Sequence, residues 1–320
     1  REIRNNPKVS IIIPFRDLPA VLERCLDSIF NRTTYSHFEI IGVSNQSQEP
    51  ATLAMMAAYQ RQDNRIRFLR YDQLFNFSAI NNFAAKQANG EHLLLLNNDT
   101  EVIHADWLQA LLEHSQRPEI GAVGAKLYYP NNTIQHAGII IGLGGSAGHS
   151  HKCFDRNDPG YFNRLEVIQN ISAVTGACLM VKKTIYSALG GLDEINLPIA
   201  FNDVDFCLRL REQGYLNVFT PYCELYHHES RSRGFETTPD RKKKFRQERA
   251  YLRQRHTAVF TKGDPYYNPN LPLDRETFGL HLRQLRPMGF TLRDEWQAHH
   301  SLKGLLAGFS RELLRLCVRN

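Results

Sequence analysis

Short apolar runs alternate with segments of helical spacing between residues 9 and 127, and this alternation constrains the fold more than any other feature. Val9–Ile13 is a β-rich run that stops at Pro14, and the apolar positions from Leu18 to Phe30 recur at helical spacing. The same pattern predicts further strands and helices at Phe38–Val43, Ala51–Arg61, Ile66–Leu69, Ser78–Ala88, His92–Leu96, Ala105–His114 and Gly121–Leu127. Strands that alternate with helices form βαβ units, so the sequence predicts an α/β fold around a mainly parallel central sheet flanked by helices.

The later part of the chain has a weaker pattern and then changes in character. We expect a strand at Ala173–Val181 and a helix at Val204–Gln213. After Gly234 the chain becomes polar and rich in arginine, and its last segment repeats leucines on one helical face. That face can pack on protein or lie on a membrane surface. The sequence therefore predicts two parts, residues 1–235 and a basic, mainly helical C-terminal extension over residues 236–320.

Composition excludes several classes of protein. With 42% hydrophobic residues the chain is not a long disordered one, and no apolar run approaches the roughly 18 residues that a membrane span needs. The six cysteines have irregular spacing without a CxxC pair, which argues against a zinc ribbon or a disulfide scaffold and favours reduced thiols in a cytoplasmic protein. The net charge of +6 fits an anionic substrate or the inner face of the cytoplasmic membrane. Because the chain begins at Arg1, we expect it to be a piece of a longer protein.

Polar segments follow three of the predicted strands, where ligands bind in open α/β sheets. They are Pro14–Asp17, Ser44–Ser47 and Asn97–Asp99. The carboxylate of Asp99 can bind a hard divalent cation, which prefers oxygen ligands. The alternative is a polar turn in which Asn and Asp bond to nearby backbone.

Two carboxylates, Asp203 and Asp205, begin the predicted helix near residue 204. One of them can act as a general base that deprotonates an incoming hydroxyl. The alternative is a helix cap, with Asp203 as N-cap and Asp205 in the first turn, because carboxylates are favoured at helix N-termini.

Three further segments carry candidate sites. His227 and His228 offer a metal ligand beside Arg231 and Arg233, whose guanidinium groups bind phosphate. Gly142–Ala147 matches the G-x-G-x-x-A dinucleotide pattern of an NAD-dependent oxidoreductase, but no helical pattern follows, so we interpret it as a flexible loop able to close over a ligand.

The basic run Arg241–Lys244 is the third such segment. It can bind nucleic acid, contact an anionic membrane or form a solvated helix face. No aromatic RNA-recognition signature accompanies it, so we expect no nucleic-acid partner.

Six segments occur in the order that one enzyme family uses, over about residues 8–235. They are Val9–Pro14, Phe38–Asn45, Leu94–Thr100, Gly190–Glu194, Asn202–Arg209 and His227–Ser232. Together they resemble an inverting glycosyltransferase of family 2 with the GT-A fold. Phe75–Asn82 and Asp264–Leu271 are similar to features of the bacterial branch that builds O-antigen, capsule and other surface polysaccharides.

The resemblance implies a role for each candidate residue. Asp99 and His227 would bind Mn²⁺ or Mg²⁺, and Asp203 would be the general base in a catalytic group with Asp205. The other residues would bind the nucleotide-sugar donor: Pro14, Phe15, Arg16, Asp17, Ser44, Asn45, Asn76, Asn82, Asn97, Asn98, Arg231 and Arg233. Asn97 and Asn202 stand where the family has carboxylates, and Ser44 stands where it usually has Asp.

The reaction implied by the resemblance is transfer of a sugar from a UDP-sugar or dTDP-rhamnose to a hydroxyl of a growing glycan or lipid-linked glycan. Residues 1–235 would then form the catalytic domain, in contact with other domains of a longer polypeptide. An alternative is a catalytically inactive GT-A domain that binds a glycan or nucleotide inside a larger polymerase.

Overall fold

The computed structural model of the chain describes residues 2–229 and 238–279. One compact unit comprises Arg1–Pro269 and Leu273–Phe278, and it carries every element described below. Along the described ranges, every helix is too short or too polar to span a bilayer. The leucine-rich segment at the C-terminus lies outside the described residues.

The strands and helices alternate through the first half of the chain, as the sequence predicts. The strands are β1 (Val9–Phe15), β2 (Phe38–Ser44), β3 (Ile66–Arg70), β4 (His92–Leu96), β5 (Thr100–Val102), β6 (Ile120–Tyr128), β7 (Ile134–His136), β8 (Ile139–Ile141), β9 (Ala147–His149), β10 (Gln169–Ile171), β11 (Cys178–Lys182) and β12 (Leu216–His227). The helices are α1 (Pro19–Arg32), α2 (Pro50–Gln62), α3 (Phe77–Gln87), α4 (Trp107–Ser115), α5 (Lys183–Ala188), α6 (Asn202–Glu212), α7 (Pro239–Arg255) and α8 (Thr257–Lys262).

Among the described residues, ten strands form one mixed sheet whose main order is β10-β12-β6-β11-β4-β1-β2-β3. The half built from β4, β1, β2 and β3 is parallel, as predicted. β11 is inserted antiparallel between β4 and β6, and β12 runs parallel to β6. The periodicity predicts the strand β11 but not its direction, and it does not predict β12 at all.

Both faces of the sheet are buried, which explains the nearly continuous apolar sequence of the central strands. Ile11 and Ile13 of β1 pack in the cluster that contains Leu22 and Leu26 of α1. Ile12 points to the other face and packs in the cluster that contains Phe206 of α6.

Two helices begin earlier than the sequence predicts. Asn76, rather than Ser78, caps α3, because its side chain accepts a hydrogen bond from the Ala79 amide at 2.9 Å. Ser78 is buried and donates instead to the Leu197 carbonyl. The N-cap of α6 is Phe201 in a left-handed conformation, so Asp203 lies inside the first turn.

Five of the six cysteines lie in the described ranges. Cys25, Cys178, Cys207 and Cys223 are buried free thiols, as expected, whereas Cys153 is free but exposed. Cys317 lies outside the described residues.

An ion-pair cluster on Asp205 joins α6 to α7, which the sequence analysis assigns to the C-terminal extension. The fully buried Asp205 carboxylate accepts hydrogen bonds from Arg209 Nε and from His256 Nε2, each at 2.8 Å. Arg255 Nε lies 3.2 Å from the same carboxylate. Burial raises the pKa of Asp205, but His256 and Arg209 outweigh burial, so the pKa lies below its ordinary value. The end of α7 is therefore held against α6 within the first compact unit.

We expect Asp205→Ala to lower the free energy of unfolding by about 3 kcal/mol or more, because it leaves the buried charge of Arg209 without its carboxylate. Urea denaturation measures this change. The matched control is Asp72→Ala, since Asp72 pairs with Arg70 on the surface and its loss should cost less than about 1 kcal/mol. Equal losses in both variants would show that the Asp205 cluster is not a stabilising contact.

Candidate active site

A cavity of about 690 Å³ opens at the edge of the sheet where β1 and β4 end. Nine of the site residues predicted from sequence line it: Pro14, Phe15, Arg16, Asn45, Asn97, Asn98, Asp99, Asp203 and His227. Asn202, beside Asp203, lines it as well. The parallel strands bring the first three predicted loops to this edge because their carboxyl ends lie side by side. Asn202 and Asp203 arrive from the start of α6, and His227 arrives from the end of β12.

The side chains of Asp99 and His227 face each other in the cavity wall. Asp99 Oδ1 lies 3.1 Å from His227 Nε2, and this buried oxygen makes no aligned hydrogen bond. His227 Nδ1 lies 2.6 Å from Gln135 Oε1, which can only accept, so Nδ1 carries the proton and Nε2 presents a lone pair. Two lone-pair atoms therefore face each other, an arrangement that suits a cation.

Burial raises the pKa of the Asp99 carboxyl, but a positive charge beside it, such as a protonated His227, more than offsets burial and places the pKa below its ordinary value. A bound cation would act on Asp99 in the same direction. His228 lies elsewhere, with Nε2 3.3 Å from Glu101.

Asn97, where the family has a carboxylate, contacts the same imidazole. Its Nδ2 lies 3.2 Å from His227 Nε2 and can donate to that lone pair. Within residues 2–229 and 238–279, no cluster of three or more His, Cys, Asp or Glu side chains is arranged to hold a metal ion. A metal at the Asp99–His227 pair would therefore have two ligands of these types from the described protein.

Asp203 lies in the same cavity, held by backbone hydrogen bonds. Its Oδ2 accepts from the Gly176 amide and its Oδ1 accepts from the Val204 amide, each at 2.8 Å. Burial raises the pKa of Asp203, and these hydrogen bonds offset the rise only in part. A carboxylate with a raised pKa and an open path to the cavity is suited to accept a proton.

Five predicted site residues do not line the cavity. Asp17 Oδ1 accepts from the Gln48 and Glu49 amides at the start of α2, and Ser44 is buried at the end of β2. Asn76 caps α3, and Asp205 forms the buried cluster with α7. The geometry supports structural roles here instead of the donor-binding and catalytic roles expected from sequence.

Asn82 is the fifth of these residues. It is buried, donates to the Leu192 carbonyl and accepts from the Leu192 amide and the Tyr186 hydroxyl. A side chain with these partners holds the segment after α5 in place. Arg231 and Arg233 lie outside the described residues.

The Gly142–Ala147 segment is not a dinucleotide-binding turn. It connects β8 to β9 in a small hairpin, and a strand follows it instead of a helix. Ile139, Ala147, Gly148 and His149 of this hairpin line the cavity. The segment therefore lies at the cavity wall, and its closure over a ligand stays a prediction.

Several wall residues were missed by sequence reasoning. Gln135 and His149 lie in a region of weak periodicity, and Phe245 comes from α7. Arg241, also from α7, belongs to the basic run that the sequence singles out without placing it at the cavity. The other unpredicted aromatic residues of the wall are Phe75, Phe77, Tyr129 and Phe201. Phe75 and Phe77 lie in Phe75–Asn82, a segment on which the resemblance rests. That resemblance is the sequence signal that could have identified these two aromatic residues.

Comparison with known proteins gives a consistent result. Residues 10–190 match the model of the family described as glycosyl transferase family 2. The uncharacterized protein y4gI of Sinorhizobium fredii is 50% identical over 279 residues, which is 87% of this chain and 30% of that protein. The O-antigen biosynthesis protein RfbC of Myxococcus xanthus is 43% identical over 282 residues, 87% of this chain and 21% of RfbC. The chain thus spans less than a third of either relative.

The fold also has a counterpart among solved structures. The mannosyltransferase PcManGT from Pyrobaculum calidifontis, in complex with GDP-Man and Mn²⁺, superposes with a TM-score of 0.58 at 16% identity. The match covers 79% of this chain and 66% of that one. This likeness confirms the GT-A fold expected from the sequence.

We expect the Asp203 carboxyl to titrate above 3.8, its ordinary value, because burial disfavours the charge. Asp193 is the internal control. Burial acts on it too, but hydrogen bonds from Asn196 and Tyr251 outweigh burial, so its pKa should lie below 3.8. Carbon-13 NMR titration measures both, with Asp203→Asn providing the assignment. A midpoint for Asp203 at or below that of Asp193 would contradict the environment described here.

Proposed function

Because this chain belongs to glycosyl transferase family 2, we propose that its cavity transfers a sugar from a nucleotide-diphosphate donor to a hydroxyl of a growing bacterial surface glycan. One observation carries this proposal: Asp203, with its raised pKa, shares a single cavity with the Asp99–His227 pair. A base for an acceptor hydroxyl and a cation site for a leaving diphosphate are the two groups that such a transfer requires.

The nucleotide of the donor is assigned to the wall formed by the ends of β1 and β2. Pro14, Phe15 and Asn45 provide apolar and polar surface, and Arg16 provides an exposed positive charge for phosphate. Asn45 is held in place, since its Nδ2 donates to the Tyr71 and Gln73 carbonyls. The donors that we propose are a UDP-sugar or dTDP-rhamnose.

Asp99 and His227 would hold the divalent cation, Mn²⁺ or Mg²⁺. The buried Oδ1 of Asp99 without an aligned hydrogen bond, and the Nε2 lone pair beside it, fit such an ion. A bound cation would neutralise the negative charge on the departing diphosphate. Gln135 orients the imidazole of His227, because its Oε1 accepts a hydrogen bond from Nδ1 of that ring.

Asp203 is the general base of the proposed reaction. The acceptor hydroxyl gives its proton to the Asp203 carboxylate, and the acceptor oxygen bonds to the anomeric carbon of the donor sugar. The bond from that carbon to the diphosphate oxygen breaks, and the diphosphate departs with the electron pair. A single displacement from the face opposite the leaving group inverts the anomeric configuration.

The acceptor is assigned to the aromatic side of the cavity. Phe75, Phe77, Phe201 and Phe245 line it, and Phe201 packs on Phe245 with ring centroids 5.0 Å apart. Such rings provide apolar surface for a sugar ring. The O-antigen relative supports a surface glycan as the acceptor.

The division of the chain also remains a proposal. We assign catalysis to residues 1–235. The start of the basic extension completes the acceptor side of the cavity, because α7 supplies Arg241 and Phe245 to the wall. The cytoplasmic location and the membrane contact expected from the sequence stay predictions.

We expect Asp203→Asn to lower kcat by roughly 10²–10⁴-fold while leaving donor affinity unchanged, because an amide cannot accept the proton. Steady-state kinetics with a radiolabelled donor, and calorimetry of donor binding, measure the two effects. The wild-type rate should fall as the pH falls through the pKa of Asp203, above 3.8, since the protonated carboxyl is no base. Asp72→Asn, on the exposed surface, should keep wild-type kcat. A variant Asp203→Asn with full turnover would refute the assignment.

We expect UDP or dTDP to raise the melting temperature in the presence of Mn²⁺ and not in EDTA, because a ligand that binds the folded state stabilises it. At a hundredfold excess over Kd the rise should be about 5 °C. His227→Ala should abolish the Mn²⁺ dependence, and His37→Ala, before β2, should preserve it. GDP, CMP and NAD⁺ complete the panel. No shift with any nucleotide would favour the inactive glycan-binding domain, and a shift with NAD⁺ alone would overturn the family-based proposal.

A further inference from the structure

Two histidines of the hairpin region form a pair with a defined direction. His136, on β7, is fully buried, and its Nδ1 lies 2.7 Å from Nδ1 of His149 on β9. A hydrogen bond between these two nitrogens needs one proton, so one ring donates and the other accepts.

Backbone amides decide which ring donates. His136 Nε2 faces the amides of Gly138, at 3.3 Å, and Thr175, at 3.5 Å. A backbone N–H can only donate, so His136 Nε2 must be the acceptor and the proton of the neutral ring lies on Nδ1. His136 therefore donates to His149 Nδ1, and neutral His149 carries its own proton on Nε2.

His149 lines the cavity, and Nε2 is its ring nitrogen outside the pair with His136. Within the described parts of the chain, no residue accepts a hydrogen bond from Nε2. The ring stays neutral for a steric and electrostatic reason: a second proton on Nδ1 would meet the N–H of His136. Burial also lowers the pKa of His149, to about 4. The titratable groups around the pair are Lys152, Glu229 and His227.

We propose that His149 is a substrate-binding residue that donates from Nε2 to a phosphate oxygen of the donor, and that His136 is the positioning residue that sets its tautomer. This inference rests on the proposed function, which places a diphosphate in the cavity. Lys152 lines the same wall and supplies a positive charge there. The charge of Lys152 can neutralise a phosphate oxygen, and the hydrogen bond from neutral His149 can orient it, because a hydrogen bond is directional.

The first test uses the wild-type protein, nitrogen-15 labelled, at pH 7. Long-range proton–nitrogen correlation of the imidazole rings should show His149 protonated at Nε2 alone and His136 at Nδ1 alone. Adding inorganic diphosphate with Mg²⁺ should shift the His149 Nε2 resonance. The opposite tautomers, or an unmoved Nε2 resonance in a protein that binds diphosphate, would overturn this inference and leave the proposed function standing.

The second test compares variants by calorimetry with Mg²⁺ and inorganic diphosphate as the probe. His149→Phe keeps a ring but removes the N–H, and Kd should rise by about 10-fold, as expected for one hydrogen bond to a charged group. His37→Phe is the matched control, because His37 precedes β2 at the end of the strand remote from the cavity, and its Kd should equal that of the wild type. An unchanged Kd for His149→Phe would refute the contact. Absence of diphosphate binding by the wild type would instead overturn the donor site and this assignment with it.

Discussion

The burial of β4 is the constraint on which the cavity depends. Leu93–Leu96 are inaccessible or nearly so, with β1 parallel on one side and β11 antiparallel on the other. A shift of one residue in this pairing would draw Asn97 into the apolar sheet, where its amide would lose hydrogen bonds. The strand must therefore end where it does, and Asn97–Asp99 must leave the sheet at the cavity.

Long-range pairing brings the other polar groups to the same edge. β12 pairs with β5 so that His227 lies opposite Thr100, next to Asp99 in the chain. Asp203 comes from α6, whose first turn is held by the Gly176 amide just before β11. Asp99, His227 and Asp203, from distant parts of the sequence, thus line one cavity, because the antiparallel β11 joins the two halves of the sheet.

Buried hydrogen bonds then set the chemical state of the site. Gln135 and His136 are neighbours on β7, and each fixes one cavity histidine: Gln135 accepts from His227, and His136 donates to His149. The buried cluster on Asp205 does not touch the cavity, yet it holds the end of α7 against α6. Full pairing matters here, because a partly satisfied polar network is costly in a low dielectric.

The sequence by itself determined the α/β alternation, the parallel half of the sheet and the candidate residues Asp99, Asp203 and His227, because local periodicity and ordered motifs record these features. Only the tertiary structure separated wall residues from structural ones, since Asp205 and Asn82 carry the same chemical groups as the residues that line the cavity. It also decided the direction of β11 and the positions of His149 and Phe245 in the cavity wall. These depend on contacts between residues far apart in the chain, and such contacts leave no local pattern.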